Sequence, residues 1–247
     1  MTTDAAGNSA SATVDGINID LTPPTISGDA ATPPNSNGWY NTDVIVHFTA
    51  SDALSGLDTV STDETLTDEG GSQSVNGDAT DRAGNSAGFT VAGINIDKTP
   101  PSIGGSRTPD PNSYGWNNVD VTVSFACSDT LSGVDSCPAP KVLSGDGAGQ
   151  SVTDMAIDRA GNSASATVGG VNIDKTPPAN VVGTAERSAD HDGWYNHEVE
   201  ITFAGDDALS GIASCTSSIY SGPDSGAASV GGSCTDEGGN IADGQYG

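Results

Sequence analysis

The sequence predicts an all-β chain built as a tandem array of small two-sheet sandwiches, and three observations predict it. Markers recur with one period: Asp20, Asp97 and Asp174 stand 77 residues apart (97 − 20 and 174 − 97). Trp39, Trp116 and Trp194 keep intervals of 77 and 78, as do Asp52, Asp129 and Asp207, each of which opens an Asp-x-Leu-Ser-Gly. A period this strict means one structural unit repeated. Within each unit β-branched and aromatic residues alternate with polar ones, which is the pattern of a half-buried antiparallel strand. Gly, Asn, Asp and Pro then punctuate the sequence about every 8–12 residues, as turns between short strands do.

The elements follow in order. Residues 1–21 align with the end of a repeat and read as an orphan last strand, its pairing part over 9–20. Repeats then span 22–98, 99–175 and 176–247, the third lacking most of its last strand. Each repeat opens with Pro-Pro or its equivalent and a short strand, 25–27 in the first. A Pro/Asn/Ser/Gly loop ending in Gly-Trp leads to the best strand. There Val44, Val46, Phe48 and Ala50 point inward, as do Val121, Val123, Phe125 and Cys127, then Val199, Ile201, Phe203 and Gly205. Asp-x-Leu-Ser-Gly turns the chain into a third strand over 57–61, and a variable polar section follows. The strand over 74–80 (151–157, 229–235) runs into the Asp81–Asn85 turn, whose Gly-Asn supplies the positive φ of a tight hairpin. In the last strand the alternation of Phe89 and Val91 resumes one residue late at Ile94 and Ile96, across Ala92-Gly93. A glycine at a slipped register marks a β-bulge. Roughly seven short strands per unit suggest an immunoglobulin-like sandwich.

The net charge of −26, with 7 basic against 33 acidic residues, sets the chain against nucleic acid and anionic membrane surfaces and makes cations its natural counterpart. No apolar run reaches the roughly 20 residues needed to span a bilayer. The Met-Thr-Thr start enters directly into the end of a repeat, so any export signal or anchor is expected outside this sequence.

The four cysteines sit two per repeat in the second and third units, which suggests disulfides and an oxidising compartment. Aligned by the period, Cys137 and Cys215 share the third-strand position held by Val60 in the first repeat. Cys127 ends the second strand, and Cys234 falls where the other repeats have Ala79 and Ala156. The pairs expected are Cys127–Cys137 and Cys215–Cys234, worth about 3 kcal/mol each. The alternative is buried free thiols.

The sharpest candidate site lies at the junctions, where a linker aspartate enters the pole holding two loops of the next repeat. Asp20, Asp52, Asp81 and Asn85 would converge in the first repeat; Asp97, Asp129, Asp158 and Asn162 in the second; Asp174, Asp207, Asp236 and Asn240 in the third. Hard oxygen ligands from separate loops are what Ca²⁺ requires. The alternative is turn chemistry, because Asp and Asn cap turns with their own side chains, and no loop has EF-hand spacing. The Gly-Trp loops could stack sugars, but a Trp at a fixed place in a β-repeat more often covers the core. His191 and His197 with Asp190, Asp192 and Glu198 read as a solvated loop, and His47 as outward-facing. No nucleophile elbow, phosphate-cradling loop or zinc-protease motif appears, so no catalytic residues are assigned.

The paired signatures Asp-x-Ala-Gly-Asn and Ile-Asp-Lys-Thr-Pro-Pro, with Gly-Trp-Tyr-Asn and Ser-Asp-Ala-Leu-Ser-Gly between them, resemble bacterial immunoglobulin-like repeats of large secreted surface proteins and adhesins. That resemblance covers essentially the whole chain. It implies an extracellular or cell-surface location and a mechanical role, a non-catalytic stalk. It also implies a linker aspartate that binds calcium and stiffens the array. Strands of about 10 residues at about 3.3 Å each would give a rod of about 100 Å from three units. The partners expected are neighbouring repeats, a second copy added head to tail by strand complementation, or a surface glycan. The alternative function is a carbohydrate- or protein-binding module that uses the Gly-Trp loops or an exposed strand edge.

Overall fold

The computed structural model describes residues 1–247. The chain is all-β, with strands and no helix. It divides into two compact units, Met1–Thr99 with Arg159–Asn162, and Pro100–Asp158 with Ser163–Gly247.

In the first unit β1 (Thr2–Thr3) and β2 (Ser9–Ala10) form a minimal hairpin, Thr2 opposite Ala10. Residues 11–24 belong to no strand, so the expected last strand over 9–20 shrinks to its first two residues. The reason is physical: a strand with no neighbour leaves its N–H and C=O groups unpaired. Val14, Ile17, Ile19 and Leu21 are correspondingly exposed.

The first repeat then runs β3 (Thr25–Ala30), β4 (Val44–Ser51), β5 (Leu57–Val60), β6 (Glu64–Leu66), β7 (Gly70–Asp81) and β8 (Ser86–Ile96). These make two antiparallel three-stranded sheets, in the orders β3-β4-β6 and β5-β7-β8. Six strands stand where seven were expected. The polar section supplies β6, which pairs with β4 through Val44–Leu66. Val44, Val46 and Phe48 of the first sheet bury against Val75, Ile94 and Ile96 of the second, with Tyr40 closing one end. The alternation of β4 is thus the alternation of core and solvent.

Two glycines shape this packing. Gly93 sits at φ 81, unpaired where the β7–β8 register shifts between Gln73–Ile94 and Ser74–Ala92, which is the bulge that the phase slip predicts. At Gly77 a Cβ would come within 2.5 Å of the Phe48 ring, so only glycine lets the ring lie flat on β7. Beyond the bulge the end of β8 is tied to the Gly-Trp-Tyr loop. The Tyr40 N–H donates to the Asn95 carbonyl (2.9 Å) and the Asp97 N–H to the Tyr40 carbonyl (2.9 Å).

The second unit repeats the plan. Strands β9 (Ser102–Thr108), β10 (Val121–Ser128), β11 (Val134–Ser136), β12 (Lys141–Leu143), β13 (Gly147–Asp158) and β14 (Ser163–Ile173) form sheets β12-β10-β9 and β11-β13-β14 around Val121, Val171 and Ile173. Then β15 (Ala179–Ala185), β16 (Val199–Asp206), β17 (Ile212–Cys215), β18 (Ser217–Tyr220), β19 (Val230–Asp236) and β20 (Ile241–Tyr246) join in one six-stranded sheet. The join is a parallel contact of β15 with β20 at Val182–Gln245. Cys127 is bonded to Cys137 and Cys215 to Cys234, the latter pair directly opposite each other on β17 and β19. Cys234 is fully buried.

Candidate metal centre

Two aspartate triads each lie within a single unit. Ligand oxygens of Asp20, Asp52 and Asp81 lie within 4.8 Å of one another, and so do those of Asp174, Asp207 and Asp236. Asp81, Asp174 and Asp236 are buried, and Asp20, Asp52 and Asp207 half-buried.

Local chain chemistry builds each corner. In Asp-x-Leu-Ser-Gly the aspartate caps its own turn: Asp52 Oδ1 accepts from the N–H groups of Leu54 (3.1 Å) and Gly56 (2.7 Å). Asp207 does the same with Leu209 (3.1 Å) and Gly211 (2.7 Å). In Asp-x-x-Gly-Asn the carboxylate closes the hairpin. Asp81 accepts from the Asn85 N–H on one oxygen and from Asn85 Nδ2 on the other, both at 2.8 Å. Asp236 and Asn240 repeat this at 2.7 and 2.9 Å. Gly84 and Gly239, at φ 93 and 95, make the turn possible. The linker aspartate bridges the loops: Asp20 Oδ2 accepts from the Ser55 N–H (2.9 Å), and Asp174 Oδ2 from that of Ser210 (3.0 Å).

The asparagines act as clamps. Asn85 Nδ2 also donates to the Asp20 carbonyl (3.1 Å), and Asn240 Nδ2 to that of Asp174 (2.9 Å). The same clamp appears in the first unit as Asn162 Nδ2 donating to the Asp97 carbonyl at 2.8 Å. Asp97 is fully buried there. In the second unit Asp158 is buried, and Asp129 caps its turn through Leu131 (3.1 Å) and Gly133 (2.6 Å).

None of the six carboxylates in the two triads forms an ion pair. Arg82 lies with its guanidinium against Gly56 without pairing to them, and the third repeat has Glu237 in that place. Hydrogen bonding lowers the carboxyls of Asp20 and Asp81. The Thr22 N–H and then Ser55 hold the Asp20 carboxyl below its ordinary value. For Asp81, burial pushes upward most strongly, but the Asn85 side chain and the Asn85 and Ala83 N–H groups together outweigh it, and the net shift is downward. The charge of Asp20 opposes that shift. Three ionised carboxylates held this close repel one another, and hard oxygens so gathered suit a divalent cation.

Sequence reasoning missed how the linker is held on its other side. Lys98 Nζ donates to Asp43 (2.7 Å) and to the Thr67 carbonyl (2.7 Å), while the Thr99 hydroxyl donates to Glu69 (3.0 Å). Lys175 repeats this with Asp120 (2.8 Å) and the Ser144 carbonyl, and Thr176 with Asp146 (2.9 Å). The signal was present: in a chain with 7 basic residues, Lys recurs in Asp-Lys-Thr-Pro-Pro. In the second unit Asn112 Nδ2 also reaches the carbonyls of Glu237 (2.8 Å) and Gly238 (3.2 Å) in the turn carrying Asp236.

The other candidates separate cleanly. Trp116 is buried and Trp39 half-buried, whereas Trp194 is 61% exposed, against the expectation that all three cover a core. In the first two repeats Asn95 and Asn172 tie the Gly-Trp loop to the last strand through the carbonyls of Gly38 and Gly115, and Trp194 has no such tie. The His191 side chain is exposed and lies 3.1 Å from the exposed Asp192 carboxylate. His47 faces outward to Asp63.

No protein-family profile matches the sequence, and no curated protein does. Among solved structures the chain is similar to part of a 1.5-MDa bacterial ice-binding adhesin described for host cell surface retention. That match is 13% identical, covers 92% of this chain and 97% of that one, and has a TM-score of 0.41. It is also similar to a Ca²⁺-stabilized adhesin with which an Antarctic bacterium binds ice (15% identity, 99% and 79% coverage, TM-score 0.36). A third is a tetra-tandem repeat from the extending region of a large adhesion protein (17% identity, 99% and 78% coverage, TM-score 0.30).

Proposed function

We propose that this chain is a non-catalytic spacer of an extracellular surface protein or adhesin. Its repeats are 22–98, 99–175 and 176–247, and calcium held by the junction aspartates stiffens them. The observation that carries this reading is the pair of triads, Asp20/Asp52/Asp81 and Asp174/Asp207/Asp236, each gathering three carboxylates with no basic side chain paired to any of them. Gathered charge of one sign is costly unless an ion of the other sign joins it. Each triad takes one aspartate from the linker and two from the following loops, so a bound ion would couple linker to repeat. The Lys98 and Lys175 clamps support the same role, since they fasten the linker to the preceding body. Both cystine bridges support an oxidising, extracellular setting. The asparagines Asn85 and Asn240 serve as clamps that aim the carboxylates.

The test is calcium titration followed by calorimetry and thermal melting. Heat of binding and a melting temperature that rises with calcium and returns with chelator support the reading. Equal melting in calcium and chelator, with no binding heat, returns the aspartates to turn chemistry.

A further inference from the structure

We infer that the Gly-Trp loop of a repeat is a docking surface, and that its partner is the Asp-x-x-Gly-Asn turn of the repeat that follows. The second unit shows the contact. Asn112 Nδ2 donates to the carbonyls of Glu237 (2.8 Å) and Gly238 (3.2 Å). Both lie at the tip of the hairpin, beyond the β19–β20 ladder, whose last pair is Thr235–Ile241. The oxygen of the same amide is fixed inside its own loop: Asn112 Oδ1 accepts from the N–H groups of Tyr114 (2.9 Å) and Trp116 (3.1 Å). One side chain thus closes the loop of the second repeat and holds the turn of the third.

The first unit holds the same contact. Asn35 Oδ1 accepts from the N–H groups of Asn37 (2.9 Å) and Trp39 (3.1 Å). Its Nδ2 donates to the Arg159 carbonyl (2.8 Å), to which Asn37 Nδ2 also donates (3.2 Å). Asn35 and Asn112 stand one period apart (112 − 35 = 77), and so do Arg159 and Glu237 (237 − 159 = 78). A second asparagine keeps the same beat: a Cβ on Gly161 would lie 3.7 Å from Asn41 Nδ2, and one on Gly239 3.7 Å from Asn118 Nδ2. Arg159 and Glu237 carry opposite charges, so what recurs is recognition of the turn's backbone and not of its side chains. Outward carbonyls and the two N–H donors of an amide are complementary without any charge. The partner is therefore the turn itself, whatever residue follows its aspartate.

The contact adds a second fastening to a junction that the linker already ties. On the hairpin of the third repeat, Asn240 Nδ2 holds the Asp174 carbonyl of the linker, while Asn112 holds the carbonyls of Glu237 and Gly238. A single attachment leaves a pivot, and two at separate points fix an angle. Where stability passes between neighbouring repeats, such an interface makes one repeat feel the loosening of the next. With no ion bound, the like charges of Asp174, Asp207 and Asp236 strain this junction, and the loop contact opposes them. The cation plays no part in the contact itself. The test is run in chelator, where failure of the contact leaves the calcium reading untouched.

Residue-resolved amide hydrogen exchange of the whole 247-residue chain tests it. Asn112→Asp keeps an oxygen for the Tyr114 and Trp116 N–H groups and removes the donor to the turn. The third repeat has Asp190 in this place, and the Asp190 N–H still bonds the Trp194 carbonyl (2.8 Å) as the Asn112 N–H bonds that of Trp116 (2.8 Å), so the variant should fold. The Gly239 and Asn240 amides, both bonded to Asp236, should exchange about tenfold faster once the hydrogen bonds from Asn112 are lost, while the amides of β10 keep their rates. The reverse direction is read from the third repeat. Asn240→Ala loosens the turn and should quicken Tyr114 and Trp116 in the wild-type background, and add nothing in Asn112→Asp. Unchanged exchange at Gly239 and Asn240 in Asn112→Asp overturns the inference. So does a response of Tyr114 and Trp116 to Asn240→Ala that persists in Asn112→Asp, because it would then travel through the linker.

Discussion

Replacing Asp207 by Asn separates a cation site from a turn cap by the sign of its effect. Asp207 uses Oδ1 to cap its turn, on the N–H groups of Leu209 and Gly211, with the Ser210 hydroxyl at 3.4 Å. An asparagine keeps that oxygen and serves such turns well, so the local hydrogen bonds survive while one charge is removed. At the 4.8 Å limit of the triad, two unit charges repel by 332/(80 × 4.8), about 0.9 kcal/mol, in a water-like dielectric. Asp207 is half-buried and screened accordingly. In chelator Asp207→Asn should therefore stabilise the third repeat by about 1 kcal/mol, or about 4–8 °C for a domain of this size. With calcium at a hundred times its dissociation constant the wild type gains about 2.7 kcal/mol, most of which the variant forgoes. The order of melting temperatures should thus invert between the two conditions in scanning calorimetry. A variant that melts lower than wild type by the same amount in both refutes the cation argument.

Other expectations follow from the same geometry. Replacing Cys215 and Cys234 together by Ala frees a 19-residue separation and should cost about 3 kcal/mol in denaturant unfolding; Cys127 with Cys137, separated by 10, should cost slightly less. Gly77→Ala drives a methyl into the Phe48 ring and should cost about 1–3 kcal/mol, while Gly104→Ala, which meets nothing, should be near neutral by the same assay. Asp20 and Asp81 have carboxyl groups lowered on folding, so their contribution is fully present above the ordinary carboxyl pKa and is lost as pH falls through the lowered values. Melting in chelator should accordingly hold steady near neutrality and decline below about pH 4, and the decline should be smaller in Asp81→Asn.

Much of this fold is legible because period and phase carry it. The alternation around Val44, Val46 and Phe48 is the buried face of β4, and the slip at Gly93 is the bulge in β8. What was not legible depends on pairing partners distant in sequence. Glu64–Leu66 becomes a strand only because β4 offers it an edge, and its polar residues carry no period. Residues 11–24 have a strand's sequence and no neighbour to pair with. At the site, the period located aspartates that the fold gathers, Asp174 with Asp207 and Asp236 among them. It could not reveal that Asn240 turns its Nδ2 to the Asp174 carbonyl, or that the Ser210 N–H meets the linker aspartate, since both depend on how separate loops face each other. Trp194 shows the same limit: its fixed place predicted a core residue, and it is exposed.

The central claim is that a cation at the junction aspartates stiffens the array, and small-angle X-ray scattering in calcium and in chelator tests it most directly. The account predicts a longer and more uniform particle in calcium, with a maximum dimension that shortens or broadens on chelation and responds less in Asp207→Asn, which leaves the Asp20, Asp52 and Asp81 triad intact. Superimposable curves in the two conditions, at protein concentrations where the mass is constant, would contradict it.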